Sequence, residues 1–470
     1  MIMRDWKVSV APFDFLNFLQ CDIHKPVNDH ATATITGHIP DHLEDKYVEM
    51  ALRPLRAVVN ARNDAGEEKV LFNGIITDLS VDTHNEMRRL NIKIKSSSYL
   101  MDNFPFSRTF QDKNMPYDGV LDFLSESYED YGFVMTVGRG EAIGDIIVQY
   151  KETDWEFLKR IVSRHNSVLV ASYHLDGIMY SFGLPKRAEA VEITSTRYSM
   201  HKAVGEYIYK TENGVEGLRE ADAIYYRVKD REIYDIADKV TFKGRDLYIF
   251  DIESGLEGSE LIHTYTLKTE EGFKTKHYHN EDMIGASLDG TVIDIKQDLV
   301  KVHVHVDKEQ DVETAKWFIY STVYSTPDGT GFYAMPEIGD LVRLYLPNQK
   351  EEDGYIISAV HLDSSNPDLR INPDYKSLRN IHGKEVLFKP NSITVTNNNG
   401  MYFEILDEEG INIVSDKKVT IISDGAVTVV STQADISVVA PEGILLEQGN
   451  TRVVLKENIT ESGAQVVVEE

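Results

Sequence analysis

Histidine pairs are the side chains whose spacing most directly suggests chemistry in this sequence. His303 and His305 lie two residues apart in an alternating apolar segment, and His277 and His279 have the same spacing. Side chains two apart in a β-strand point to one face, so each pair could share a metal ion. Two ligands are too few for a closed site. If three copies met on an axis, one histidine from each could complete a site. The alternative is a solvated or stacked strand face, and we predict no resident metal.

The other motifs give no catalytic or cofactor site. Gly138, Gly140 and Gly144 are spaced one residue too widely for a dinucleotide loop, which favours a plain turn. No Walker loop, nucleophile elbow or H-E-x-x-H motif occurs. The acids at 407–409 lack the spaced oxygens of a calcium loop. No catalytic pair can be selected among the 77 acidic residues. The single cysteine, Cys21, is expected to be buried. The sequence therefore predicts no catalytic residue and no cofactor.

Composition limits the class of protein. The chain has 470 residues, 42% of them hydrophobic, and a formal net charge of -28. Its length predicts roughly two to four domains, and its charge repels nucleic acid and anionic membranes. Neither a signal peptide nor a stretch of about 18 apolar residues is visible. We expect synthesis in the cytoplasm, with export only as part of a larger machine.

Residues 1–283 mix strands with two helices. Alternating apolar residues predict strands at 69–77 and 90–95. Apolar residues at helical spacing predict a first helix over 117–128. Strands are expected to resume after the second helix.

The second helix has a clear start signal. Thr153 and Glu156 form a capping-box pattern, in which a hydroxyl caps one end and a carboxylate reaches back. An apolar face follows on the same helix. We predict that Trp155, Phe157 and Leu158 belong to the core of this region.

Residues 284–362 have the pattern of a small barrel. Polar turns separate five predicted strands, at 290–295, 299–306, 317–320, 340–346 and 354–360. Five strands within so short a segment suggest a small closed barrel. The polar segment 363–380, with its prolines, is predicted to be a linker.

An eight-residue repeat begins at Ile411. The octads 411–418, 419–426 and 427–434 each offer a short β-branched segment and a polar turn. The residues in register are Ile411, Val419 and Val427 in one column and Ile413, Ile421 and Val429 in another. A short fixed period is typical of a β-helix or solenoid. The alternative is an antiparallel meander with accidental spacing.

One such strip is too narrow to enclose a core by itself. It can bury its columns if identical chains wind around each other, which leaves no open sheet edge. We therefore predict an oligomer of identical chains whose core contains the six residues in register. Three strands would give the smallest closed prism, but the number three comes mainly from the family resemblance described below. Val414 and Ile422 point to the opposite face, and which face lies inside is left open.

Several segments resemble one known family in order along the chain. They lie at 71–78, 107–111, 149–161, 290–306, 335–344 and 400–413. The sequence resembles VgrG (valine–glycine repeat protein G) of type VI secretion and the related hub-and-spike proteins of contractile phage tails and phage-tail-like particles. The octads depart from the family because they lack the regular glycine of phage-spike repeats.

This resemblance implies a mainly β protein with a few helices. It implies phage tail hub-like domains in residues 1–283, namely two tandem β-barrels with helical insertions. An oligosaccharide-binding (OB-fold) barrel would follow in 284–362. After the linker, residues 381–470 would form an intertwined triple-stranded β-helical spike in a homotrimer.

The implied function is structural. We expect a trimeric hub-spike that caps the inner tube at the baseplate of a contractile injection system and pierces the target envelope, without catalysis. Its partners would be inner tube and baseplate proteins, a separate PAAR-like tip protein and cargo effectors, but not nucleic acid. Contraction would expel it from the assembled particle towards the target cell or the medium. Two alternatives remain: a lytic spike enzyme acting on peptidoglycan, and a receptor- or carbohydrate-binding tail fibre.

Overall fold

Alternating buried and exposed side chains, the pattern of half-buried strands, recur through much of the chain. The computed structural model describes residues 6–84, 87–186, 190–326, 328, 330–358, 372–455 and 459–462. The chain divides into two compact units, Met1–Leu362 and Asp363–Glu470. We call them the first unit and the second unit.

The first six strands, which we call repeat A, pack around an apolar core. They are β1 (Trp6–Ala11), β2 (Asn17–Lys25), β3 (Thr32–Ile39), β4 (Arg56–Asn63), β5 (Glu68–His84) and β6 (Met87–Lys95), with helix α1 (Glu44–Met50) between β3 and β4. Both strands predicted here lie within β5 and β6 and are confirmed. A Cβ atom on Gly74 would lie 2.2 Å from the carbonyl oxygen of Lys95, so this close approach of two strands requires glycine.

An insertion with its own core follows repeat A. It contains β7 (Pro105–Phe110), α2 (Tyr117–Ser125), β8 (Tyr131–Met135), β9 (Ile147–Thr153), α3 (Asp154–Ser163), β10 (Leu169–Ala171) and β11 (Ile178–Phe182). The predicted capping box of α3 is present: Thr153 Oγ1 accepts from the Glu156 amide at 3.1 Å, and Glu156 Oε2 accepts from the Thr153 amide at 3.0 Å. Both predicted helices are confirmed, although α2 ends earlier than expected.

The next six strands form repeat B. They are β12 (Val191–Glu192), β13 (Tyr198–Lys202), β14 (Ile224–Asp230), β15 (Lys239–Phe242), β16 (Arg245–Glu257) and β17 (Glu260–Lys268), with helix α4 (Val204–Glu212) between β13 and β14. Short 3-10 helices occur across the first unit at Asp41–Leu43, Ser97–Asp102, Glu220–Ala223, Glu271–Phe273, Glu281–Met283 and Glu351–Asp353.

Repeats A and B have the same topology. Neighbouring strands run β1-β4-β5-β6-β3-β2 in repeat A and β12-β15-β16-β17-β14-β13 in repeat B. The strands correspond one to one in chain order, from β1 with β12 to β6 with β17. Each repeat also has a β-bulge at the same place, after Ile76 in β5 and after Ile249 in β16. The repeats differ in that β12 runs parallel to β15, whereas β1 runs antiparallel to β4.

The tandem barrels predicted for this region do not occur as two closed ladders in the described residues. Strand β2 pairs antiparallel with β16, so the two repeats merge into one 12-stranded sheet. One hydrophobic core extends across both repeats.

The remaining part of the first unit is a five-stranded sheet with its own core. Its strands are β18 (Ser287–Lys296), β19 (Leu299–Val304), β20 (Trp317–Ile319), β21 (Leu341–Tyr345) and β22 (Tyr355–Ile357). They are ordered β20-β19-β18-β21-β22, and each corresponds to one of the five predicted strands. An isolated parallel bridge joins Tyr320 to Ile356, next to the two end strands.

The second unit begins with an antiparallel five-stranded meander. Its strands are β23 (Lys376–Arg379), β24 (Glu385–Lys389), β25 (Ser392–Thr396), β26 (Tyr402–Leu406) and β27 (Gly410–Val414), ordered as in the chain. Strand β23 lies inside the predicted linker 363–380, so the sheet starts earlier than predicted. The beginning of that linker lies outside the described residues.

Beyond the first octad, whose start lies in β27, the octads do not form the short strands that the repeat predicts within one chain. After β27, residues 415–443 contain no strand. A second antiparallel meander follows, with β28 (Ile444–Gln448), β29 (Thr451–Leu455) and β30 (Ile459–Ser462). A strand needs a hydrogen-bonded neighbour, and the described part of a single chain does not supply one to the octads.

Candidate functional site

An apolar face on the meander β23–β27 is the most unusual surface of the second unit. Cross-strand pairing places Phe388, Ile393, Ile405 and Ile411 in one row of this face. The adjacent row contains Leu378, Val386, Val395, Phe403 and Ile413. We call these nine residues the spike face. Except for half-buried Val386, all are exposed, from 37% for Phe403 to 64% for Ile411.

The opposite face of the same sheet is mainly polar and better covered. Ser392 and Thr394 are buried there, and Thr394 Oγ1 donates to Glu404 at 3.1 Å. A soluble sheet normally buries its apolar face and exposes its polar one. Here the arrangement is reversed, which marks the spike face as a surface for association.

The predicted spike-core residues divide into two groups. Ile411 and Ile413 lie on the spike face, whereas Val414 lies on the opposite face, opposite Tyr402. The other four residues lie in the octad stretch without strands and are exposed: Val419, Ile421, Val427 and Val429. The structure therefore brings the first two together with other apolar residues and leaves the remaining four without contacts that would bury them.

The predicted hub-core residues lie on α3. Trp155, Phe157 and Leu158 are fully buried among the residues of the insertion. The helix also carries Arg160, which is 3% exposed and connects the insertion to the five-stranded sheet.

Arg160 is the centre of a buried charge cluster. It donates to both carboxylate oxygens of Glu152 at 2.8 Å and to Glu351 at 2.6 Å. Arg164 donates to both Glu351 oxygens at 3.1 Å. Burial alone would raise the pKa of Glu351, but the two arginines outweigh it and lower that pKa. This cluster fixes the insertion against the five-stranded sheet.

A second polar contact connects the same two parts. Asp307 accepts from the Thr109 amide at 2.7 Å and also from the Thr109 hydroxyl. Burial raises the pKa of Asp307 despite these bonds. Gln111 donates to the carbonyl of Val302 at 3.1 Å. The contact between the insertion and the five-stranded sheet therefore combines specific polar bonds with apolar packing of Ile146 and Val148.

The histidine pairs find partners other than a metal. His303 Nε2 lies 3.0 Å from the Asp307 carbonyl oxygen, and His305 Nε2 lies 2.8 Å from Thr291 Oγ1. Among the described residues, no group of three or more His, Cys, Asp or Glu is arranged to hold a metal ion. The rings of His277 and His279 lie 4.3 Å apart, centroid to centroid, in a tilted arrangement. Burial, then His279 and Arg164, lower the pKa of His277 to about 4.

Two further sequence expectations concern Cys21 and membrane spans. Cys21 is 1% exposed, and burial raises the pKa of its thiol to about 12. Within the described ranges, no helix is long and apolar enough to cross a membrane.

Sequence reasoning missed the joint between the repeats. At this joint Ile23, His24 and Lys25 of β2 pair with Ser254, Glu253 and Ile252 of β16, respectively. A signal was present in the sequence: His-Lys ends both β2 and β13, at 24–25 and 201–202, and both bulged strands carry Asp two residues after the isoleucine, as Asp78 and Asp251.

Comparison with known proteins gives one match by sequence. Residues 288–361 match the family model described as the type VI secretion system/phage-baseplate injector OB domain. This segment corresponds to the five-stranded sheet. No curated protein matches the chain.

Solved structures with the same fold cover most of the chain. One is the Escherichia coli c3393 protein, with a TM-score of 0.54 and 11% sequence identity over 76% of this chain and 100% of that chain. That protein is described as a component of the type VI secretion system with structural similarity to the T4 bacteriophage tail proteins gp27 and gp5. The Francisella PdpA–VgrG complex in its half-lidded form has a TM-score of 0.57 and 10% identity, covering 88% of each chain. Its lidless form has a TM-score of 0.55 and 9% identity, covering 87% of this chain and 98% of that chain.

At identities this low, the structural similarity shows the fold alone. The family model adds a sequence match in the five-stranded sheet. The resemblance to VgrG and to the hub-and-spike proteins of contractile phage tails is thereby confirmed, by sequence over residues 288–361 and by fold over most of the chain.

Proposed function

We propose that this protein is a non-enzymatic, trimeric hub-spike of a contractile injection system. Residues 1–283 form the hub that caps the inner tube at the baseplate. The OB domain connects the hub to the spike, and residues 381–470 form the spike that pierces the target envelope. The protein works by assembly and stiffness, and its partners are tube and baseplate proteins, a PAAR-like tip protein and cargo effectors.

The spike face carries this proposal. Burying one large apolar side chain contributes about 1.5–3 kcal/mol, so nine such residues on one sheet make exposure in a monomer costly. Three copies are the smallest number whose sheets can form a closed prism with all spike faces inside. Closure would also pair β23 and β27, which end the meander as open edges.

The octads support the same arrangement. Residues 415–443 have no strand partner in their own chain, and backbone N–H and C=O groups need partners when they are buried. Neighbouring chains would supply those partners in an intertwined triple-stranded β-helix. The columns of Val419 and Val427 and of Ile421 and Val429 would then continue the apolar interior that begins at Ile411 and Ile413.

A structural role also fits the chemistry of the first unit. Its buried charge cluster around Arg160 joins the insertion to the five-stranded sheet. The similarity to type VI secretion and phage-tail proteins favours the same role. Detectable release of peptidoglycan by the purified protein would instead favour the lytic spike, and glycan binding without tube association would favour the tail fibre.

The proposal is tested by mass in solution and by tube binding. Light scattering of the full chain should give three times the chain mass of 53.4 kDa. Addition of the tube protein of the same machine should give complexes with rings stacked at one end in electron micrographs. A stable monomer at micromolar concentration would contradict the proposal.

A further inference from the structure

The short sheet of the insertion, ordered β10-β11-β8, has one uncovered edge in the described chain. Strand β8 pairs in parallel with β11 and ends the sheet on its other side. Its sequence, Tyr-Gly-Phe-Val-Met, contains neither a charge nor a proline. Natural edge strands usually carry lysine, proline or a bulge, which prevent pairing with another chain. Because β8 lacks these protections, its edge can accept a further strand.

The hydrogen bonds to β11 show which backbone groups of β8 face the uncovered edge. The Ile178 amide donates to the Asp130 carbonyl at 2.8 Å, and the Thr136 amide donates to the Phe182 carbonyl at 3.0 Å. Alternate residues of a strand bond to the same neighbour, so the even-numbered residues of β8 complete the ladder to β11. The N–H and C=O groups of its odd-numbered residues therefore point to the uncovered edge, where they can bond to an added strand.

A cleft lies beside this edge, on the face of the sheet that points away from the core of the insertion. Val134, Val170, Met179 and Ser181 belong to this face and line the cleft. The cleft has a volume of about 410 Å³ and a mainly apolar lining, and ligand sites commonly measure about 300–1,000 Å³. Val134, on the edge strand, is 62% exposed. The cleft is therefore large enough for an apolar side chain of a partner.

The remaining lining of the cleft is held by hydrogen bonds. It includes Tyr173, His174, Leu175 and Ile236. The Tyr173 hydroxyl accepts from the Ile236 amide at 3.0 Å, and His174 Nε2 lies 2.7 Å from Asp235 Oδ1. The cleft is therefore preformed, which reduces the entropy cost of binding.

Gly132 opens the cleft towards the edge of β8. It lies opposite Met179 in the ladder and adds no side chain to this face. A Cβ atom on Gly132 would lie 2.7 Å from Met179 Sδ. Neighbouring strands are about 4.8 Å apart, so a strand added beside β8 would lie about 10 Å from β11. A long apolar side chain on that strand can pass over Gly132 and contact Met179.

Acidic residues lie together at the start of β8. Glu129 and Asp130 immediately precede the strand and are exposed. Asp176, in the turn before β11, has a side chain that is 82% exposed and lies 3.3 Å from Arg56 Nε. A Cβ atom on Gly177 would lie 2.2 Å from the Asp130 carbonyl oxygen, so the two turns adjoin. Three carboxylates thus face one arginine, and a cationic side chain on a partner would complement them.

We propose that an extended segment of a different protein pairs with β8 as an additional strand. It places an apolar side chain in the cleft and a lysine or arginine beside Glu129 and Asp130. In strand addition, main-chain hydrogen bonds give affinity and side-chain pockets give specificity. The occupant is a basic partner, because a second copy of this chain would bring a formal net charge of -28 to an acidic edge. This site goes beyond the proposed function, since it requires neither a trimer nor a tube.

Peptide binding to the full-length protein tests this site. The probes are two capped, fluorescein-labelled peptides, KTVTLTVT and TVTLTVTK, whose lysine lies at either end and so allows for either strand direction. In fluorescence anisotropy, one of them should bind with a Kd below about 1 mM. Replacing its leucine by threonine should weaken binding by about tenfold or more, because the apolar side chain in the cleft is lost. Replacing its lysine by glutamate should also weaken binding.

N-methylation of the probe separates strand pairing from simple filling of the cleft. Only alternate amides of an added strand bond to β8, and the others point to solvent. Of two probes that are N-methylated at the two alternate sets of residues, one should lose binding by about tenfold or more and the other should retain it. If both retain binding, strand addition is overturned. This comparison requires no substitution in the protein.

Two variants and a control locate the site on the protein. Val134→Glu places a carboxylate in the cleft and should weaken binding of the leucine probe by about tenfold or more. Val48→Glu, at a valine on α1 that is 55% exposed, is the control and should bind like the unsubstituted protein. Glu129→Gln/Asp130→Asn should reduce the preference for the lysine probe over the glutamate probe.

Two results would overturn the proposal and leave the proposed function intact. One is that neither lysine probe binds at about 1 mM. The other is that Val134→Glu binds the probe as tightly as Val48→Glu does. Neither result would alter the mass of the protein in solution or its binding to tube protein, which test the proposed function separately.

Discussion

The two units of this protein treat their apolar side chains in opposite ways. The first unit buries Trp155, Phe157, Phe72, Tyr265 and many others in continuous cores. In the described residues 372–455 of the second unit, only Ser392 and Thr394 are buried, and both are polar. The first unit thus buries its apolar side chains within the chain, whereas the second unit exposes its apolar side chains on the spike face.

This difference teaches where each unit obtains its stability. Burial within one chain gives a free energy of unfolding that does not depend on concentration. Burial between chains makes stability depend on protomer concentration. We therefore expect the first unit to respond to substitutions as an ordinary domain and the second to respond through its oligomeric state.

The largest expected effect is a charge on the spike face. In Ile413→Lys, three ammonium groups enter the proposed shared interior, and three isoleucines are lost at about 1.5–3 kcal/mol each. The penalty for each buried, unpaired charge is several kcal/mol more. The trimer should dissociate to monomer in light scattering at micromolar concentration.

The neighbouring residue supplies the control for that substitution. Asn412→Lys places the same charge on the polar face, opposite Glu404, and should leave the trimer intact. If both variants remained trimeric, the spike face would not be the surface that joins the chains.

A core substitution in the first unit should have the reverse profile. Leu158→Ala removes a fully buried side chain and should lower the free energy of unfolding by about 2–5 kcal/mol. The three tryptophans, Trp6, Trp155 and Trp317, all lie in the first unit, so fluorescence in denaturant follows that unit alone.

The control for Leu158 is an exposed leucine. Leu175→Ala, at a side chain that is 58% exposed, should change stability by less than about 0.5 kcal/mol. Both variants should keep the mass of the trimer. If Leu158→Ala lost the trimer while its unfolding followed by tryptophan fluorescence stayed unchanged, the proposed difference between the two units would be wrong.

What the sequence predicted correctly depends on neighbouring residues. The start of α3 follows from Thr153 and Glu156, which are three residues apart and complete the capping box without help from the rest of the fold. The five strands of the OB domain follow from alternation within short segments. Such signals are local and therefore visible in one sequence.

What the sequence did not predict depends on distant partners. His24 and Asp251 are 227 residues apart, and no local pattern pairs β2 with β16. The octads from Val419 onwards gave a period but no partner strand, so strands were predicted where the described part of a single chain has none. The alternation of residues also could not decide which side of the strands at 411–414 carries the apolar surface. The pairing within the meander decides it, because it sets Ile413 beside Phe403.

An effect of intermediate size is expected when the pH is lowered. Acid should reduce the free energy of unfolding of the first unit because of His263. Burial, then Lys25 and Lys69, lower the pKa of His263 to about 3. The unfolded chain takes up a proton near the ordinary histidine pKa of about 6.5, and the native state does not. Stability should therefore fall as pH drops from about 6.5 towards about 3, by a few kcal/mol in total.

His263→Gln should remove that part of the pH dependence. Tryptophan-detected unfolding at several pH values measures the slope in both proteins. His42→Gln, at an exposed histidine, is the control and should retain the wild-type slope. An unchanged slope in His263→Gln would show that other groups cause the acid sensitivity of the first unit.

The smallest expected effect concerns the joint between the repeats and has the opposite sign. The hydrogen bond to Asp251 is the main cause that raises the pKa of His24, against the lowering effect of burial. Its contribution is fully present below about pH 6.5 and is lost as pH rises through the raised pKa. Because the His24 side chain is 49% exposed, the pair should contribute less than about 1 kcal/mol.

A double-mutant cycle isolates this pair. His24→Asn, Asp251→Asn and the double variant, followed by tryptophan fluorescence at pH 5.5 and pH 8.5, should give a coupling energy only at the lower pH. The same cycle on His201 and Asp78 is the control and should give no coupling in unfolding of the first unit, because these residues do not meet within one chain. Equal coupling energies in the two cycles would mean that the cycle does not report the contact between His24 and Asp251.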